Sequence, residues 1–111
     1  MRLWIDDTRP APDGYIWCKS TLNALHIIYH NADEIEEIAL DHDAGKYVLE
    51  GGDFIKVLEE LERLCNQRNI SKRAYWMERC HDFRFSLHSM NPVGVANMRA
   101  IIKRNGWKEV F

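Results

Sequence analysis

No stretch of the 111 residues approaches the roughly 20 consecutive apolar residues that a membrane-spanning helix requires, so a bilayer is not an expected partner. No basic start leads into an apolar core over the opening residues, and a secretory signal is likewise not expected. Cysteine is scarce: Cys18, Cys65 and Cys80 form an odd count with no short pair, which argues against a disulfide framework and a CxxC zinc knuckle. They suit reduced thiols in a cytoplasmic protein. Neither charge dominates, since fifteen Lys and Arg face seventeen Asp and Glu for a net charge of −2, so a partner held mainly by nonspecific phosphate attraction is disfavoured. Internal repeats and low-complexity tracts are also missing. What remains is a chain 46% hydrophobic, of a size that fits one compact domain over residues 1–111.

The apolar pattern alternates between two periods. MRLWIDD is a short apolar run that stops at two carboxylates, with Leu3, Trp4 and Ile5 adjacent, as in a strand buried on both faces. TRPAPDG is a turn region, YIWCK a second strand, and STLNALHIIYH a helix capped by Ser20 with Leu22, Leu25 and Ile28, flanked by Ala24 and Ile27, as its buried stripe. A strand over residues 37–40 leads into a loop from Gly45 to Gly52. Asp53 can then cap a helix carrying Phe54, Val57, Leu58, Leu61 and either Leu64 or Cys65 on one side. Residues 66–82 contain an apolar island, Tyr75-Trp76-Met77, that reads as an edge strand or a packed loop. FRFSLHS alternates as a strand, and NPVGVANMRAIIKRNG is a helix with Asn91 as cap, Pro92 at its first position, Val95, Met98, Ile101 and Ile102 buried, and Gly106 at its stop. WKEVF can close the sheet. The order β, β, α, β, α, β, α, β favours a mostly parallel sheet covered by helices, with too few residues between the first two strands for a crossover helix.

In such a sheet Asp6-Asp7, Asp41-His42-Asp43 and His88-Ser89 all lie at carboxyl ends of strands, the edge where open α/β sheets build sites. Each cluster has a plainer reading. Asp6-Asp7 and Asp41 with Asp43 can be turn formers. The histidines can be solvent-facing, and Asn91 can be only a cap. Their recurrence at one edge favours chemistry. Adjacent carboxylates repel, and a hard divalent cation such as Mg²⁺ is the natural way to hold them. A histidine near neutral pKa can carry a proton during attack at phosphorus, while Ser89 and the helix start at Asn91 offer donors for an anionic oxygen. His26 and His30 share a helix face without an acidic residue in the HExxH position, so a surface role fits them better. Lys72, Arg73, Arg79 and Arg84 read as a solvated charge scatter, and Trp4, Trp17, Trp76 and Trp107 as core or interface residues.

The segments LWIDDTRPAPDGY, EIALDHDAG, GGDF and FSLHSMNPVGVANM resemble the cyclic-phosphate processing receiver-domain family. That resemblance spans nearly the whole chain apart from residues 66–82. It implies a receiver-like, flavodoxin-like α/β three-layer sandwich, with a five-stranded sheet of order 2-1-3-4-5 and the first crossover helix missing or reduced. It further implies that Asp6, Asp7 and Asp41 hold a divalent cation, Mg²⁺ or alternatively Mn²⁺, and that His42, Asp43, His88 and Ser89 form the catalytic group. Ser89, Asn91 and Arg9 are the implied substrate contacts. The substrate class is a small cyclic phosphate, a cyclic nucleotide or a cyclic-phosphate RNA end, and the reaction is phosphoester hydrolysis. A noncatalytic module binding phosphate, metal or protein is the alternative, as is phosphoacceptance by Asp41. The lysine that receivers carry after the fifth strand has no counterpart here, because Lys108 lies within the terminal strand.

Overall fold

The computed structural model describes residues 1–110. Five strands, β1 (Arg2–Ile5), β2 (Tyr15–Cys18), β3 (Glu37–Leu40), β4 (Arg84–Leu87) and β5 (Lys108–Glu109), form one sheet of order β2-β1-β3-β4-β5. Every neighbouring pair is parallel. This is the receiver-like order, and no helix joins β1 to β2. The helices are α1 (Thr21–Asn31), α2 (Ile55–Cys65), α3 (Ile70–Asp82) and α4 (Pro92–Arg104), with single 3₁₀ turns at Ala32–Glu34 and Gly45–Tyr47. The expected final strand extends to Phe111, which lies outside the described residues.

The layer count differs from three. The connections through α1, through α2 and α3, and through α4 all step the same way across the sheet, and right-handed crossovers then put every helix on one face. Leu3, Ile5, Ile38, Leu40 and Phe85 from that face share a single core with Ile28, Leu58, Leu61, Met98 and Ile102 from the helices. Strand alternation sends Arg2, Trp4, Tyr15, Trp17 and Glu37 to the opposite face. Residues 6–14 return along that face from the carboxyl end of β1 to Tyr15, which is in register with Arg2. The Trp4 indole Nε1 donates to the Arg9 carbonyl at 2.9 Å, fastening this strap. A strap of nine residues thus does the covering that a crossover helix would otherwise do, and Trp4 is half-buried rather than enclosed on both sides.

Three local expectations change. Residues 70–82 form α3, neither an edge strand nor a loop: Asn69 caps it by accepting from Lys72 N at 3.0 Å, and Trp76 and Cys80, four apart, are its buried residues. In α1 the buried positions are Thr21, Ala24 and Ile28, while Leu22 is 57% exposed. Ser20 caps it as expected, accepting from Asn23 N at 3.1 Å. Asp53 does not cap α2; its carboxylate accepts from Ala44 N at 3.0 Å and ties the loop after β3 to the start of the helix. The predicted stripe of α2 is buried, with Leu64 and Cys65 both enclosed. Cys18, Cys65 and Cys80 are free and buried. Among the described residues no helix is long and apolar enough to cross a membrane.

Candidate phosphate and metal site

Register brings the site together. Ile5, Leu40 and Leu87 stand side by side at the ends of β1, β3 and β4, so Asp6, Asp41 and His88 are the next residues on three adjacent strands. Ladder pairing runs one residue further: Asp41 N donates to Ile5 O at 2.8 Å, and His88 N to Leu40 O at 3.0 Å. The backbone beneath these three side chains is therefore as fixed as the sheet itself.

Asp6 is fully buried, and all its acceptor capacity is engaged. Its Oδ1 accepts from Thr8 N at 3.0 Å and Arg9 N at 2.9 Å. Its Oδ2 accepts from Arg9 Nε at 3.0 Å and lies 3.0 Å from His88 Nε2. Burial alone would raise the Asp6 pKa, but the amides of Arg9 and Thr8, the His88 hydrogen bond and the Arg9 charge together hold it below its usual value. His88 stacks on Trp4 with ring centroids 3.8 Å apart and planes 6° from parallel. Its Nδ1 is buried without a hydrogen-bond partner. Burial pushes the His88 pKa down, against the pull of Asp6. Neither ring nitrogen of His88 is thus presented to an incoming ligand.

Asp7 and Asp41 are disposed differently. Asp41 Oδ1 accepts from His42 N at 2.8 Å and lies 3.5 Å from Arg9 Nη2, which leaves Oδ2 uncommitted. The Asp7 carboxyl lies hard against Gly45, where a Cβ could not be accommodated and where φ is +55°. Burial and the neighbouring charges of Asp6, Asp41 and Asp43 raise the Asp7 pKa, so negative charge is crowded here without enough positive charge to balance it. Asp6, Asp7 and Asp41 bring ligand atoms within 4.8 Å of one another, as do His42, Asp43 and Asp53. The donor set of the first cluster fits a hard, oxygen-seeking divalent cation. Within it Asp7 and Asp41 have free oxygens, whereas Asp6 has none to give without surrendering a hydrogen bond.

His42 lies on the rim, beside the start of α4. Its Nδ1 is 2.8 Å from Asp43 Oδ1, to which Asn91 Nδ2 also donates at 3.4 Å. Among the described residues its Nε2 has no protein partner. A Cβ at Gly94 would fall 2.5 Å from the His42 ring, so only glycine lets the imidazole rest on the helix. Asn91 caps α4 through Gly94 N at 2.9 Å, and Ser89 Oγ accepts from Asn91 N at 3.1 Å with its hydroxyl hydrogen left to donate. Pro92 has no N–H, so the helix start that promised several free donors offers mainly the Val93 amide.

The nine residues singled out from sequence, Asp6, Asp7, Arg9, Asp41, His42, Asp43, His88, Ser89 and Asn91, all fall along this edge. Sequence reasoning passed over Asp53, Gly45, Gly94 and Trp4. Asp53 reads as a cap because it precedes a helix, and Trp4 as a core or interface residue because its neighbours are apolar. The GGDF segment and the glycine three residues after Asn91 were the available signals for Asp53 and Gly94. His26 and His30 contact each other on the exposed face of α1, and Arg79 pairs with Asp33, so these groups belong elsewhere.

A family model described as the cyclic-phosphate processing receiver domain matches residues 1–104. Neither a curated protein nor a solved structure matches the chain.

Proposed function

The chain belongs to the cyclic-phosphate processing receiver-domain family, and from that premise we propose that it is a metal-dependent phosphoesterase that opens a cyclic phosphate by hydrolysis. The observation that carries this reading is the unequal treatment of two histidines. His42 has one nitrogen oriented by Asp43 and the other without a protein partner, and its ring rests on Gly94 in the first turn of α4, an arrangement that suits a general base. His88 has both nitrogens withdrawn and serves to position Asp6.

Asp7 and Asp41 would hold the divalent cation, Mg²⁺ or Mn²⁺, with Asp6 behind them. When bound, such an ion supplies Lewis-acid polarisation of a phosphoryl oxygen. The chain's own residues supply the rest. His42 Nε2 takes a proton from the attacking water as its oxygen bonds to phosphorus, and Asp43 steadies the resulting imidazolium through Nδ1–H. One ring P–O bond breaks on the side of phosphorus away from the attacking water, the departing alkoxide takes a proton from solvent while the His42 imidazolium gives its own back to solvent, and the product is an acyclic phosphate monoester. The Ser89 hydroxyl and the Val93 amide donate to the non-bridging oxygens, where charge accumulates. Cyclic nucleotides and cyclic-phosphate RNA ends both carry this reacting group. The domain spans residues 1–111, and its three buried thiols suit the reducing cytoplasm.

The test is ³¹P NMR of 2′,3′- and 3′,5′-cyclic nucleotides with the protein and Mg²⁺ or Mn²⁺. Ring opening is expected with metal and not with EDTA, and His42→Ala should lower kcat by about 10²–10⁴-fold. Metal binding with no ring opening of any member of the panel by the wild type would reduce the protein to a binding module toward these substrates. Full activity in His42→Ala would remove that residue from the mechanism.

A further inference from the structure

Arg9 already sits where positive charge is wanted. Its Nε is 3.0 Å from Asp6 Oδ2 and its Nη2 is 3.5 Å from Asp41 Oδ1, so one guanidinium spans two of the three clustered carboxylates. Its side chain is nevertheless 45% exposed, while its backbone amide is anchored to Asp6 Oδ1 at 2.9 Å and its carbonyl to Trp4 at 2.9 Å. The main chain of Arg9 is pinned, and the side chain alone has room to leave.

We infer that Arg9 is a resident counter-cation that competes with the divalent ion for Asp41, and that metal entry turns its guanidinium out toward the phosphate. The inference rests on the metal reading given above. A dication on Asp41 would lie within a few ångströms of a guanidinium, and at that range two like charges repel strongly wherever water is partly excluded. Asp6 tolerates the departure because Oδ1 keeps two amides and Oδ2 keeps His88. Once outside, the planar fork of Arg9 is free to grip phosphate oxygens in a bidentate pair. One arginine thereby has two positions: ion-paired in the resting site, and ligand-binding in the loaded one. A lysine at position 9 could not hold Asp6 and Asp41 together through separate nitrogens.

Two measurements on the full chain test this with metal alone. Mn²⁺ affinity by EPR should be about tenfold tighter in Arg9→Met than in wild type, because the internal competitor is gone. In the wild type, titration with Mg²⁺ should move the Arg9 Nε–H resonance with the same dissociation constant as the metal itself, and this needs no variant to fold. Equal or weaker Mn²⁺ binding in a folded Arg9→Met protein, or an Arg9 resonance untouched by saturating Mg²⁺, would overturn the inference and leave the metal site standing. Failure of both proteins to bind either ion would overturn the metal reading and this inference with it.

Discussion

The ends of β1 and β3 are neighbours in the sheet and begin with the same residue type, yet they differ in how much of their hydrogen-bonding capacity is spent. At the end of β1, Asp6 is enclosed, accepts from two amides and a guanidinium, and is braced by a histidine that is itself stacked on Trp4. At the end of β3, Asp41 keeps an oxygen free, His42 keeps a nitrogen free, and Asp43 is 61% exposed in its side chain. The first end is saturated; the second is enclosed at Asp41 and largely so at His42, opens to solvent at Asp43, and is only partly satisfied. A site needs both, since groups that are to exchange protons or ligands must be left unsatisfied, and something must hold them in place while they are.

Deleting the saturated carboxylate breaks the comparison most severely. Asp6→Ala leaves His88 and the Thr8 and Arg9 amides without their acceptor inside a closed space, while the half-exposed Arg9 guanidinium can turn to water. A loss of about 2–4 kcal/mol is expected in urea denaturation, from buried donors left unsatisfied. Asp43→Ala, at the open end, should change stability by about 0.5 kcal/mol or less. Comparable losses for the two variants would mean that the ends do not differ in this way.

Gly94→Ala acts on the open end alone. Alanine suits a helix better than glycine, and no positive φ is required there, so the fold should be unharmed. The added Cβ would meet His42 ring atoms at 2.5 Å, and the imidazole must move aside. A displacement on the order of an ångström costs up to about 10²-fold in kcat, so cyclic-nucleotide turnover should drop toward that of His42→Ala with an unchanged melting profile. Retained turnover would place the proton-carrying group elsewhere.

Asp7 lies between the two ends, and replacing it sharpens the contrast. Because burial and the nearby carboxylates raise its pKa, ionised Asp7 is opposed by its surroundings at neutral pH. Asp7→Asn should therefore stabilise the metal-free protein by about 0.5–2 kcal/mol while weakening Mn²⁺ binding. Asp6→Asn should do the opposite to stability. A destabilised Asp7→Asn protein would show that its carboxylate is better balanced than its neighbours suggest.

Much of this was legible in the sequence because it follows from strand direction. Once MRLWI, EIAL and FRFSL are parallel strands, the polar residues after them must meet, whatever the details of the helices. The strand order was legible through the resemblance to the receiver-domain family, and the buried side of α2 through periodicity, since Val57, Leu58, Leu61 and Leu64 repeat on one face. α3 was obscured because it buries only Trp76 and Cys80, while Ile70, Tyr75 and Met77 are exposed, so its apolar residues do not trace the stripe that marks a helix. The position of Arg9 was hidden for another reason. It depends on how the proline-containing strap folds back over Trp4, a tertiary event with no periodicity to announce it. The two histidines were distinguishable only when the structure gave each ring nitrogen a partner or withheld one.

The smallest effect, a pH dependence, tests which of two forces governs His88. Burial, opposed by Asp6, holds its folded pKa below the ordinary 6.5, so the unfolded chain binds this proton more readily. The stability that neutral His88 contributes is complete above about pH 6.5 and declines as pH falls toward the folded value. Asp6, whose folded pKa is depressed below 3.8, adds a second loss at lower pH, as it becomes protonated. Urea denaturation between pH 8 and pH 5 should show wild type losing about 1 kcal/mol relative to His88→Asn, which lacks the first step but shares the other histidines. The sign follows from burial, which desolvates the imidazolium; the Arg9 guanidinium, already paired with Asp6, adds a smaller repulsion of its own. If wild type instead gains stability against His88→Asn as pH falls, the Asp6 charge is still available to His88, and the closed end is less saturated than its hydrogen bonds imply.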